Sequence, residues 1–164
     1  MSYLASSPHF KGEITNILLG NWKHAGIIGK QTGSWSTPFI GEDISLTGVG
    51  NDHPNLVGNP HLAHPTLQEW FNTSAYAIEA PGTFGNAGSY SIEGPGAFTF
   101  DAMLTRSFRI RENQHLEVRF EAFNVFNHPT FGNPGTTLTA GDSWGKVLSA
   151  NDPRILQFAM KYVF

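Results

Sequence analysis

Three stretches of the chain alternate between apolar and polar positions. In FTFDAMLTRSFRI, Phe98, Phe100, Ala102, Leu104, Phe108 and Ile110 share one side, and Thr99, Asp101, Thr105, Ser107 and Arg109 the other. In HLEVRFEAFNVFN, Leu116, Val118, Phe120 and Ala122 oppose Glu117, Arg119 and Glu121. In RILQFAMKYVF, Leu156, Phe158, Met160, Tyr162 and Phe164 oppose Gln157 and Lys161. A period of two is the signature of a strand with one dry and one wet side. A fourth segment, WKHAGIIGKQTG, is weaker: Ile27 and Ile28 are adjacent, and His24 and Lys30 interrupt the apolar row. The pattern predicts strands at about 21–31, 98–110, 115–126 and 154–164.

These segments are longer than the ~5 to 6 residues usual for soluble strands, and they match the ~9 to 11 that a tilted strand needs to cross a bilayer. The connections alternate in length. A long Gly/Pro/Asn-rich stretch covers about 32–97, the tight polar turn RENQ joins the second and third strands, and another long loop covers 127–153. Outer-membrane barrels pair short periplasmic turns with long external loops. With RENQ periplasmic, 98–110 runs inward, 115–126 outward and 154–164 inward again. The expected fold class is all-β: antiparallel strands of a partial transmembrane β-barrel with long Gly/Pro-rich external loops. Tyr162 would then sit in an interfacial aromatic girdle.

Composition agrees. Among 164 residues, only 14% are charged while Gly numbers 18 and Phe 13, which favours strands and turns over helix. A net charge of -3 and the lack of any Lys/Arg cluster give no footing for nucleic acid. With no cysteine, neither disulfides nor thiolate metal sites arise. The opening MSYLASSPHFKGEI has no basic and apolar succession of the signal-peptide kind, and nothing approaches the ~18 apolar residues of a spanning helix.

Five segments carry a family resemblance: GNWKHAGIIGKQTGSWSTPF, GVGNDHPNLVGNP, GTFGNAGSYSIEGPGAFTFDAMLTRSF, FEAFNVFNHPTFGNP and DPRILQFAMKYVF. In this order they resemble the C-terminal part of Oar-like TonB-dependent outer-membrane receptors, whose N-terminus carries a carboxypeptidase-regulatory-like domain. The resemblance implies that 1–164 is a C-terminal barrel segment in which the plug and N-terminal domains have no counterpart. It also implies that Phe158, Met160, Tyr162 and Phe164 form the assembly signal read by the barrel-assembly machinery. Implied partners are outer-membrane lipid and the remaining strands and plug of a longer receptor. The chain departs from the family where His24 and Lys30 replace lipid-facing apolar residues and where His53 follows Asn51 and Asp52 in place of an Arg.

About four spanning strands fall short of the minimum of about 8 in known outer-membrane barrels, so the segment is expected to need other strands and not to transport alone. Glu117 and Glu121, four apart with Arg119 between them, read as a charge ladder lining a wet lumen and not as a glycosidase pair. No enzyme activity, cofactor or metal is expected. His61 and His64 with Asp52 and His53 lack a fixed third ligand spacing, and the glycines of GPGAF and GTFGNAG lack the Lys and the strand-to-helix setting of a phosphate loop. Arg106, on the apolar side of its strand, is expected near the inner rim, where its side chain can snorkel. The alternative is a soluble β-sandwich presenting Trp35, Trp70 and Trp144 to a glycan.

Overall fold

The computed structural model describes residues 1–164 throughout. Its strands, in chain order, are β1 (Ser2–Ser6), β2 (Lys23–Gln31), β3 (Trp35–Ser36), β4 (Asn55–Leu56), β5 (Tyr76–Ala77), β6 (Ile92–Glu93), β7 (Ala97–Arg111), β8 (Gln114–Phe123) and β9 (Ile155–Val163). One α-helix, α1 (Glu13–Leu19), lies between β1 and β2. The chain divides into two compact units. The sheet unit comprises 1–30, 98–129 and 152–164, and the loop unit comprises 31–97 and 130–151.

The sheet unit is built on one open five-stranded sheet in the order β1-β2-β7-β8-β9. The hairpin of β7 and β8 turns through Glu112 and Asn113, closed by the pair Arg111↔Gln114, with a register shift between Arg109 and Arg111. Such a bulge increases local twist beside a tight turn. Register keeps like with like: Leu104 faces Phe120, which faces Phe158, and Phe108 faces Leu116, which faces Tyr162. On the opposite side Ser107, Glu117 and Lys161 form one row, and Met103, Glu121 and Gln157 another. A slip of one residue would exchange every side chain between faces, so the two-sided pattern fixes the register.

The alternation expected for 98–110, 115–126 and 154–164 therefore produces one continuous apolar face. β8 stops at Phe123, three residues short of the expected 126, because Asn124 turns the chain. Asn124 and Asn127 both take φ 52°, the left-handed region that Asn tolerates better than most residues. Their side chains hold the turn. Asn124 Oδ1 accepts the His128 N–H at 2.9 Å, and Asn127 Oδ1 accepts the Arg154 N–H at 2.9 Å.

β1 and α1 were not expected from the sequence. SYLAS is too short to show a period, yet it pairs antiparallel with β2, and Tyr3 lies opposite Gly26. The Tyr3 ring occupies the place a side chain at 26 would take: a Cβ there would meet that ring and stand 2.9 Å from Phe100. Gly26 thus lets an aromatic cover the weak, glycine-bearing strand β2.

The loop unit has a core of its own. Phe71, Ala75, Tyr76, Ala87 and Ile92 are buried together, with Trp70, Leu138 and Trp144 packed around them. Phe71, Tyr76 and Trp144 meet edge to face at ring-centroid separations of 4.9 to 5.7 Å, the arrangement that aromatic quadrupoles favour. Two short ladders, β3 with β6 and β4 with β5, tie distant segments together. Gly33 is required where the backbone passes Gly94, since a Cβ would strike that residue's carbonyl.

Candidate functional site

The chemistry of the sheet unit lies in its two faces. On one, Leu156, Phe158, Met160 and Tyr162 are 71%, 54%, 61% and 48% exposed, and they continue the apolar rows of β7 and β8. Phe120 and Phe158 touch at a centroid distance of 5.0 Å, and Tyr162 stacks on Phe164 at 6.1 Å. On the other face the Arg119 guanidinium contacts the Glu117 carboxylate at 3.1 Å and reaches the Glu121 carboxylate at 4.0 Å. The structure thus brings together Glu117, Arg119 and Glu121 on one side and Phe158, Met160 and Tyr162 on the other.

Aromatic rings mark both ends of the apolar face. Phe98 stacks on Phe126 at 6.2 Å, and Phe100 lies 5.5 Å from Phe126, at the end away from the tight turn. Near the turn, Trp22 meets Phe108 edge-on at 6.4 Å in the row that holds Leu116 and Tyr162. From Phe98 to Phe108 is ten residues of β7, about 33 Å along a strand rising ~3.3 Å per residue. At a tilt of about 40° this projects to about 25 Å, the height of the apolar band between the aromatic girdles of outer-membrane barrels.

Arg106 departs from the expectation of a snorkelling side chain. It is 7% exposed, donates to the backbone carbonyl of Asn16 at 3.0 Å and to that of Ile17, and lies 4.6 Å from the Phe108 ring centroid and 5.6 Å from that of Trp22. The carbonyls in the last turn of a helix lack intrahelical donors. The guanidinium supplies one to Ile17 and adds a second donor to Asn16, whose carbonyl also accepts the Gly20 N–H at 3.0 Å, and Trp22 Nε1 donates to the Leu18 carbonyl at 2.9 Å. Alternation marked Arg106 as a violation but gave no sign of the helix it serves.

Other singled-out residues have local roles. The Asp52 carboxylate accepts the Ser45 N–H at 2.6 Å and the Ser45 hydroxyl at 2.9 Å, and His53 Nδ1 lies 2.7 Å from the Ala87 carbonyl. His61 and His64 are exposed, and no three His, Asp or Glu side chains are grouped as metal ligands. Trp144, weighed above as a glycan platform, packs half-buried against the core, and Trp70 Nε1 donates to the Glu93 carbonyl at 2.8 Å. Trp35 is 50% exposed. Burial pushes the Tyr76 hydroxyl above its ordinary pKa. Asp43 is held below its ordinary value, chiefly by the Gly48 N–H at 2.7 Å and further by the Thr47 N–H at 2.9 Å.

No helix is long and apolar enough to cross a membrane. No curated protein and no solved structure matches the chain. A family model described as an outer membrane beta barrel domain matches residues 1–157. Its match takes in β1, β2, β7, β8 and the start of β9, the strands whose two-faced register has just been described, and the chain belongs to the outer membrane beta barrel domain family.

Proposed function

We propose that the chain forms a wall segment of an outer-membrane receptor of the Oar-like, TonB-dependent kind, and that β9 carries its assembly signal. The observation that carries this reading is the exposed apolar face bounded by aromatic rings, backed by the Glu117–Arg119–Glu121 ladder. In this reading Leu104, Phe120 and Phe158 face lipid, and the charged ladder faces a wet lumen. β1 and β9 are open edges. Each unpaired N–H or C=O in lipid costs several kcal/mol, so these edges pair with further strands of the same barrel. The role is structural and carries no catalytic step. Transport belongs to the closed receptor with its plug.

The long segments 32–97 and 127–153 are external in this topology and the Glu112–Asn113 turn is periplasmic. Protease added to intact cells expressing the parent receptor should cut within the loop unit and spare the turn. Cleavage at Asn113 with both long segments protected would reverse the topology. For the assembly signal, deleting Phe164 or making Tyr162→Asp should lower the folded, heat-modifiable fraction in isolated outer membranes, whereas Gln157→Asn is tolerated. An unchanged folded yield for both disruptive variants would overturn the signal.

A further inference from the structure

The seven-residue helix α1 is amphipathic in the wrong sense for water. Ile14, Ile17 and Leu18 are 75%, 53% and 63% exposed, and at about 100° per residue they fall within one ~100° arc. Asn16, on the opposite side, is the half-buried residue of the helix, and its Oδ1 accepts the Phe10 N–H at 3.1 Å. Asn16 is turned inward and the apolar arc outward, while Glu13, Thr15 and Leu19 are exposed as well. A helix this short is not stable by its own propensity. It is held instead by Arg106 and Trp22, which cap its last carbonyls.

Those anchors fix which side of the sheet the helix occupies. Arg106 has the same parity in β7 as Leu104 and Phe108 and lies opposite Val118, which lies opposite Met160. The helix is therefore on the apolar face, in the last rows before the Glu112–Asn113 turn, beside the ring of Phe108. Its outward Ile14, Ile17 and Leu18 lie on the same side of the sheet as Met160 and Tyr162. Lys11, exposed one residue before the Gly12 cap, adds a cation at the helix start.

We propose that α1 is an interfacial helix whose apolar arc lies among lipid chains at the turn end of the barrel, anchored to the wall by Arg106 and Trp22. The occupant of this surface is lipid, by continuity with the apolar face of the sheet. An inward Asn16, carbonyls capped by the wall and an outward apolar arc suit a boundary where the wall supplies hydrogen bonds and the surroundings supply hydrocarbon. The proposal rests on the barrel-wall reading. It adds that the β1–β2 connection is part of the membrane-embedded surface, where outer-membrane barrels otherwise have short aqueous turns.

The chain has no cysteine, so single reporters can be introduced without background from it. An environment-sensitive fluorophore is attached at Leu18→Cys, Ile14→Cys, Phe158→Cys or Gln157→Cys in the parent barrel. The barrels are reconstituted in phosphatidylethanolamine–phosphatidylglycerol vesicles whose acyl chains carry a quencher. The label at 158 should be quenched and that at 157 spared. Labels at 14 and 18 should lose more than about half of their emission, as expected for an apolar arc buried ~5–10 Å into the headgroup–acyl boundary. Quenching at 158 with none at 14 and 18 would overturn the interfacial helix and leave the wall reading standing. No quenching at 158 would overturn both.

Discussion

The two units of this chain solve opposite problems with similar residues. The loop unit has an interior, in which Ile40, Phe71, Tyr76, Ile92 and Val147 are at most 6% exposed, although others such as Phe84 and Tyr90 stand out. In the sheet unit Leu156, Met160 and Phe158 stand out from the surface, and the one buried side chain longer than glycine's hydrogen is Arg106. Burying apolar area is worth about 25 cal/mol per Å² only when the area leaves water. A sheet that leaves a continuous apolar face uncovered is stable where its surroundings are hydrocarbon. In the wall-segment reading the difference is one of surroundings: the loop unit carries an interior of its own, and the sheet unit carries a wall.

The comparison breaks first in the loop unit. Trp144, half-buried, meets both Phe71 and Tyr76, and truncating a fully buried aromatic to Ala costs about 3–5 kcal/mol, an upper bound here. Trp144→Ala should open the loop unit while the sheet still inserts. Protease sensitivity on intact cells should rise within 31–97 and 130–151, and heat-modifiable mobility should be kept. Loss of both together would mean that the units do not fold separately.

Next comes the sheet, where face decides outcome. Phe158 lies near the middle of β9 on the apolar side and Gln157 on the other. An Arg at the lipid-facing midplane costs about 2–4 kcal/mol, so Phe158→Arg should lower folded yield in outer membranes while Gln157→Arg, beside Glu121, should not. Equal losses for the two would remove the distinction between faces. Arg106→Leu should have a smaller effect. The Ile17 carbonyl loses its donor, at about 1–3 kcal/mol for a polar group left unsatisfied, while the Asn16 carbonyl keeps the Gly20 N–H. Faster hydrogen exchange in α1 with unchanged exchange in β8 would report that local release.

Legibility followed the same division. β7, β8 and β9 could be read because a wall strand must alternate along its whole length, and Phe98 to Ile110 does so apart from Met103 on the wet side, with Arg106 as the exception on the dry side. The core of the loop unit left no such trace. Its members Phe71, Tyr76, Ile92 and Trp144 are scattered over 74 positions among turns and two-residue strands, and no period links them. They look like loop aromatics until the contacts are known. α1 was hidden for a different reason: in EITNILL the apolar residues suggest a buried helix, whereas they point outward, and the residue that holds the helix lies 89 positions away from Ile17. The exception in β7 was thus the clue to the helix, but only a structure could join the two.

The smallest effect expected is a test of how aqueous the loop unit is. Asp43 is partly exposed, and its carboxylate accepts the backbone N–H groups of Thr47 and Gly48 and the Ser45 hydroxyl, which closes the 43–48 turn. These bonds favour the ionised form, so the folded pKa lies below the ordinary 3.8. With the folded value depressed, the stabilisation is fully present above 3.8 and is lost as pH falls through the lower folded value. Acidification should therefore loosen this turn while the Phe71–Tyr76–Trp144 cluster, which has no carboxylate in it, stays packed. Amide exchange measured at Thr47 and Gly48 between pH 5 and pH 2, corrected for the intrinsic rate, should lose protection at the acid end, and Asp43→Asn should abolish that pH dependence. Because an exposed carboxylate is screened by water and salt, the change should stay within the turn. A turn that kept its protection at low pH would mean that the Asp43 carboxylate does not hold it.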